Sequence, residues 1–290
     1  MPPDEGDALA RARALVLRWG WNAAAYQVLN PGICLWFAAA GDAVAGFVDA
    51  PGYRVVAGAP ACPHGRLSAV AEELEAGARD EGRRVCYFGA GHRLEEVLRP
   101  SPTHARVLLG AQPVWDAARW PAVVDGHASM RAQLNRARNK GVSVEEWPAA
   151  RAGADPALRR CLEEWLETRG LPPLRFMVEP DVLSRLLDRR VFVAVRDGEP
   201  VGFTVATPVP ARGGWLIEQW VRGHGAPNGT TERMIDAAMR ALAADGARYV
   251  TLGLAPLSRH APEDAGASPA WLRLALAWTR AHGNRFYNFR

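Results

Sequence analysis

The stretch Glu218-Gln219-Trp220-Val221-Arg222-Gly223-His224-Gly225-Ala226-Pro227-Asn228-Gly229-Thr230 decides how the chain is read. Trp215 to Val221 predicts a strand, and glycines then bend the backbone. Met234, Ile235, Ala238, Met239 and Leu242 predict a helix from about Thr230 to Ala244. A helix start offers free backbone N–H groups and the positive end of the helix dipole. Strand, glycine loop and helix together are therefore suited to hold a phosphate or a carboxylate. Pro227 removes one N–H from that loop. A plain strand-to-helix turn capped by Asn228 or Thr230 accounts for the same residues.

Three strands precede the loop: Val191 to Val195, Val201 to Thr207 and Trp215 to Val221, joined by Arg196-Asp197-Gly198-Glu199 and Arg212-Gly213-Gly214. Before them, Leu158, Cys161, Leu162, Trp165 and Leu166 recur at helical spacing, and Asp181 to Leu187 predicts a shorter helix. After the loop come a strand at Tyr249 to Leu254, a helix at Pro269 to His282 and a strand from Arg285. The first half has a similar plan. Tyr26 to Phe37 is apolar and broken by Asn30-Pro31-Gly32, which predicts two short strands. Ala43 to Val48 and Tyr53 to Ala59 extend an antiparallel meander. A helix at Leu67 to Glu81, a strand at Arg84 to Phe88, a helix at Arg93 to Leu98 and a strand at Ala105 to Leu109 follow. His127 to Lys140 is an amphipathic helix with Arg131, Asn135 and Arg138 on one face.

The expected fold is α/β of the α+β type, two tandem domains with mainly antiparallel sheets flanked by helices. Residues 1–150 and 151–290 form the two, with the boundary near Trp147 to Asp155. The element order is similar to that of GNAT-type acyltransferases, an analogy of fold that carries no function by itself. A CoA-using member would show Arg/Gln-x-x-Gly-x-Gly/Ala, whereas this chain has Arg222-x-x-Gly225-x-Pro227.

Composition bounds the rest. The 290 residues suit about two domains. With 49% apolar and 23% charged residues, a disordered or collagen-like chain is excluded. No apolar run approaches the roughly 18 residues of a membrane span; Ile33 to Ala40 has eight. The net charge of +4 points weakly to an anionic partner. Lys140 is the only lysine, and the arginine bias reads as that of a GC-rich genome sooner than as a functional feature. Cys34, Cys62, Cys86 and Cys161 lack metal-ligand spacing, so free thiols and no metal are expected.

Four stretches, in order along the chain, carry a resemblance. They are Arg54 to Pro60, then Ser129-Met130-Arg131-x-x-Leu134-Asn135-x-Ala137-x-x-Lys140-Gly141, then Glu218 to Asp236, and Leu252-Gly253-Leu254-Ala255-Pro256-Leu257-Ser258. Together they resemble the C-terminal catalytic domain of the phosphatidylglycerol lysyltransferase (multiple peptide resistance factor) family. The plan is also similar to Fem-type transferases. The resemblance implies transfer of an aminoacyl group from aminoacyl-tRNA to the hydroxyl of a polar lipid such as phosphatidylglycerol. No cofactor is implied, and CoA enters only in the alternative of a GNAT N-acyltransferase. A non-catalytic module that binds an anionic ligand is a third alternative.

An acidic residue should meet the donor's α-ammonium group, and Glu218 is the candidate; a strand carboxylate paired with Arg222 is the bland alternative. Arg222 and the helix start Asn228, Gly229 and Thr230 would orient a phosphate or the terminal ribose of tRNA. Arg131, Asn135, Arg138 and Lys140 would meet the tRNA backbone or the lipid phosphate. Gly253 and Pro256 belong to the same substrate-binding set by motif. No Ser-His-Asp or Cys-His pattern supports a covalent intermediate, so direct attack by the acceptor is expected. A cytoplasmic protein is expected, one that would reach lipid as a peripheral protein at the inner membrane face or use a soluble acceptor. Family members carry a multi-pass N-terminal membrane domain and a final strand beyond the point matching Arg290; this chain is expected to lack both.

Overall fold

The computed structural model describes residues 5–168, 176, 179–256 and 258. The first layer begins with α1 (Glu5–Trp19) and a 3-10 turn at Ala25–Leu29. Strands β1 (Cys34–Phe37), β2 (Val44–Ala50) and β3 (Tyr53–Ala57) form an antiparallel meander. Helix α2 (Leu67–Asp80) then crosses over to β4 (Arg84–Phe88), which pairs parallel to β3, and α3 (His92–Leu98) closes the unit. Helix α2 buries Leu67, Val70, Ala71, Leu74 and Ala78, the single apolar stripe that its spacing predicts.

The second layer is a six-stranded sheet. In chain order its elements are β5 (Gly110–Ala111), β6 (Val114–Trp115), α4 (Trp120–Gly126), α5 (Ala128–Asn139), β7 (Ser143–Trp147), α6 (Ala149–Ala154) and α7 (Pro156–Glu167). There follow β8 (Arg190–Arg196), β9 (Glu199–Val209), β10 (Gly214–Arg222), α8 (Thr230–Ala244), β11 (Tyr249–Thr251) and β12 (Ala255–Pro256). The sheet order is β6-β11-β10-β9-β8-β7; β5 and β12 form a separate small pair. Only β10 and β11 run parallel; the other neighbours are antiparallel. Both β6 and β7 precede residue 150 yet pair within this sheet. Sheet membership therefore changes upstream of the expected 147–155 boundary, between β4 and β6.

Alternation assigns the two faces of this sheet. Val191, Val193, Phe203 and Val205 face α7 with Leu158, Cys161 and Leu162. Phe192, Ala206 and Ile217 face α8 with Ala238, Met239 and Leu242. Both faces being covered, β9 is buried from Val201 to Val209, an apolar run interrupted by the buried threonines Thr204 and Thr207. The β8–β9 hairpin turns at Asp197 (φ 52°) and Gly198 (φ 84°), the paired positive angles that favour Asp-Gly.

Four local expectations change. Tyr26 to Leu29 is a buried 3-10 turn, not a strand; the Asn22 side chain starts it by accepting the Ala24 N–H at 2.8 Å. Ala105 to Leu109 forms no strand. Asp181 to Leu187 keeps only a 3-10 turn at Val182–Ser184, because tertiary bonds claim its end. Tyr26 donates to the Leu187 carbonyl at 2.7 Å, and Asp188 takes a left-handed φ of 61°. The strand from Tyr249 stops at Thr251, where Gly253 turns at φ 85° and its N–H bonds the Thr251 hydroxyl. The expected elements at 269–282 and 285–289 lie outside the described residues.

The layers are joined by polar bonds. Arg13 grips both oxygens of Asp188 at 2.5 Å, and Ala211 N–H donates to the Gly20 carbonyl at 3.1 Å. Among the described residues no helix is long and apolar enough to cross a membrane.

Candidate functional site

Strand β10 carries the site. It pairs with β11 over Gly214 to Leu216, so among the described residues Ile217 to Arg222 has a strand partner on the β9 side alone. The β9 pairing itself breaks between Glu218 and Val221. Gln219 takes φ 56° there, a bulge that re-aims its neighbours. The Gln219 amide is anchored by a 2.9 Å bond to the Glu179 carbonyl.

Glu218 sits at the bulge, half-buried. Thr207 Oγ1 donates to its Oε1 at 2.5 Å, and Gln27 Nε2 donates to its Oε2 at 2.7 Å. Thr204 Oγ1 holds the backbone by donating to the Glu218 carbonyl at 2.9 Å. Arg222 is not the partner of Glu218. Its side chain is exposed and has no polar partner among the described residues. A carboxylate offers about four lone-pair sites, so two donors leave room for an ammonium group.

The loop after β10 is partly occupied by the protein itself. Glu164 on α7 accepts the His224 N–H at 2.6 Å. Gly223 donates to the Val201 carbonyl, and a Cβ there would lie 2.9 Å from both Cys161 Sγ and Glu164 Oε2. Burial pushes the Cys161 thiol up to about 11, and it donates to the Pro200 carbonyl, so it is a neutral thiol rather than a nucleophile.

The helix start divides by role. Asn228 is exposed. Gly229 is buried at φ 93°, and a Cβ there would meet the Gln133 carbonyl oxygen at 2.3 Å. Thr230 is fully buried, with its hydroxyl donating to the Pro227 carbonyl at 2.7 Å. Gly229 thus brings α8 against α5, and Thr230 closes the turn; of the three, Asn228 alone presents its side chain outward.

On α5, Arg131 donates to the Val124 and Asp125 carbonyls, capping the end of α4. Arg138 donates to Asn135 Oδ1 at 3.0 Å, and Arg138, Asn135 and Lys140 are all exposed. The close approach of Gly229 to Gln133 and Ala137 seats the glycine loop against the side of α5 away from Asn135 and Arg138. Gly253 lies beside Leu216, 3.3 Å from its Cδ1 once given a Cβ, just where β10 and β11 part. Pro256 is exposed and pairs with Gly110 across β12 and β5. The Leu257 position of the motif lies outside the described residues.

Sequence reasoning missed Gln27, Thr207 and Glu164. A polar residue inside the apolar run Tyr26 to Phe37 was the available signal for Gln27.

The family model for phosphatidylglycerol lysyltransferase, C-terminal, matches residues 13–290. A comparison with curated proteins finds no significant match. Among solved structures, the C-terminal domain of lysylphosphatidylglycerol synthetase from Agrobacterium fabrum is similar, with a TM-score of 0.81 at 21% identity. That match covers 99% of this chain and 85% of the other. L-PGS from Bacillus licheniformis has a TM-score of 0.75 at 18% identity, covering 98% of this chain and 88% of the other. FemX has a TM-score of 0.55 at 11% identity, covering 94% and 92%. At these identities the structural likenesses show a shared fold alone, mixed α/β with mainly antiparallel sheets flanked by helices, and the family match establishes the kinship. The chain belongs to the phosphatidylglycerol lysyltransferase C-terminal family, a family of aminoacyl transferases.

Proposed function

We propose that the chain transfers an aminoacyl group from aminoacyl-tRNA to the hydroxyl of a polar lipid such as phosphatidylglycerol. The observation that carries this reading is the Glu218 carboxylate, held at the β10 bulge by Thr207 and Gln27 in a chain of this family. An aminoacyl ester carries an α-ammonium group beside the reacting carbonyl. A fixed carboxylate can accept that cation and set the carbonyl in place, and positioning of two bound substrates lowers the barrier.

Arg222 is unpaired among the described residues and exposed, four residues after Glu218, and serves a phosphate or the terminal ribose of the donor. Asn135, Arg138 and Lys140 form the basic face that meets a phosphate backbone. The lipid hydroxyl attacks the ester directly. Its proton leaves with the ribose oxygen, so one ester forms as another breaks and no enzyme-bound acyl group is needed. The neutral Cys161 thiol agrees with that economy.

Use of CoA is the weaker reading. Pro227 lacks an N–H, and Glu164 puts a carboxylate on the His224 amide where a pyrophosphate would need a donor. The test is movement of a labelled amino acid from charged tRNA into a lipid phase by the purified protein. A label that stays with tRNA or is merely hydrolysed counts against the proposal.

A further inference from the structure

Three side chains behind Glu218 are almost completely shielded from water. Gln27 is 2% exposed, Asn30 5% and Arg189 6%. They form one line of hydrogen bonds. Arg189 Nη2 donates to Asn30 Oδ1 at 3.1 Å, Asn30 Nδ2 donates to Gln27 Oε1 at 2.7 Å, and Gln27 Nε2 donates to Glu218 Oε2 at 2.7 Å.

The two ends dictate the direction of the line. A guanidinium only donates, and an ionised carboxylate only accepts. Turning either amide over would set N–H against N–H or oxygen against oxygen. Each amide therefore has a single orientation, and each dipole points its positive end toward Glu218. Arg189 has no carboxylate partner among the described residues. Its other side-chain contacts among the described residues are the Arg185 carbonyl at 2.7 Å and the Tyr26 ring at 5.4 Å, both neutral. A buried guanidinium without a direct counter-ion is costly unless charge of the opposite sign is reached in another way. Here the amides link it to Glu218, and such chains polarise one another in a medium of low dielectric.

The path also crosses between layers. Arg189 stands just before β8 and Glu218 lies on β10, both in the second sheet's unit. Gln27 and Asn30 belong to the turn at Ala25–Leu29 and its following residue, in the first.

We propose that Gln27, Asn30 and Arg189 are positioning residues for Glu218, so that the first domain completes a site whose substrate contacts lie on the second. The inference rests on the reading of Glu218 as acceptor of the donor's ammonium group. With Thr207 on one oxygen and the relay on the other, the carboxylate cannot rotate away from the donor. A relay that serves binding of one substrate should touch that substrate's affinity alone.

The experiment uses the full chain with lysyl-tRNA and phosphatidylglycerol vesicles, and variants Gln27→Met, Arg189→Met, their double, and Glu218→Gln. Gln27→Met is expected to raise the donor KM about tenfold, the worth of one hydrogen bond to a charged group. The lipid KM should stay as in the parent. Arg189→Met, which touches neither substrate, should give a donor-specific rise of the same kind. The double variant should be no worse than the stronger single, since both break one line.

A structural role alone would lower the melting temperature and kcat and leave the donor KM in place. That pattern in Gln27→Met, or additive effects in the double, overturns the relay. Gln27→Leu, which likewise cannot donate and adds no charge beside Glu218, serves as the second variant, with the same donor-specific rise expected. Failure of both Gln27 variants to fold would also overturn it, by making the contact one of stability. The two claims separate cleanly. A raised donor KM in Glu218→Gln with a parental value in Gln27→Met defeats only the relay. A parental donor KM in Glu218→Gln defeats the reading of Glu218 itself.

Discussion

The Glu164 carboxylate accepts the backbone N–H of His224 at 2.6 Å, inside the glycine loop that joins β10 to α8. A loop that binds a pyrophosphate must leave such amides free, and here the protein supplies its own anion. Millimolar CoA is therefore expected neither to raise the melting temperature nor to compete with the aminoacyl donor. Competitive inhibition by CoA would show that the loop opens to a phosphate after all.

Gly229 should be the least replaceable glycine of that loop. Its φ of 93° disfavours any side chain, and a Cβ would lie 2.3 Å from the Gln133 carbonyl oxygen. Gly229→Ala is expected to cost about 2–3 kcal/mol in denaturant unfolding, from strain plus displacement of α5. Gly225→Ala is the control. Among the described residues its Cβ would meet only Val201 Cγ1, at 3.8 Å, so it should stay within about 0.5 kcal/mol of the parent. Equal costs at the two positions would contradict the packing described for α5 and α8.

The clasp between the layers should show in acid. Arg13, bonded to both oxygens of Asp188, holds that carboxyl below its usual value, and the Tyr26 hydroxyl adds to the effect. A lowered folded-state value means the stabilisation is full above the unfolded value, about 3.9, and fades as pH falls toward the folded one. Asp188→Asn should melt below the parent at neutral pH, and the gap should close in thermal scans below about pH 4. A gap independent of pH would deny the ion pair its role.

Arginines on one helix are expected to behave differently. Arg131 caps the α4 carbonyls, so Arg131→Ala should lower stability by about 0.5–1.5 kcal/mol. Arg138 and Lys140 are exposed, and Arg138→Ala and Lys140→Ala should leave melting unchanged. Each should raise the donor KM and reduce its salt dependence by about one counterion. An unaltered salt slope in both would remove this face from the donor's path.

What the sequence disclosed follows from where its signals are local. Strands β8 to β10 and helix α8 were legible because alternation and helical spacing sit between unambiguous turns such as Asp197-Gly198. The turn at Ala25–Leu29 was not, because a short buried apolar run looks the same as strand or as helical turn. The pairing of β6 and β7 with the second sheet joins residues far apart in the chain, which no periodicity records. Glu218 and Arg222 could be named from the loop they flank. Their separation could not: Glu218 turns to Thr207 and Gln27, partners 11 and 191 residues away, and leaves Arg222 to solvent.

The proposed aminoacyl transfer to lipid puts Glu218 and Arg222 at the site. It is tested most directly by thin-layer chromatography of phosphatidylglycerol vesicles after incubation with labelled aminoacyl-tRNAs and the purified chain. Label is expected in an aminoacylated lipid spot. That signal should fall at least about tenfold in Glu218→Gln and in Arg222→Ala, each folded as the parent, since each removes a contact with a charged group. Label that never enters the lipid phase with any aminoacyl-tRNA, or full transfer by both variants, would contradict it.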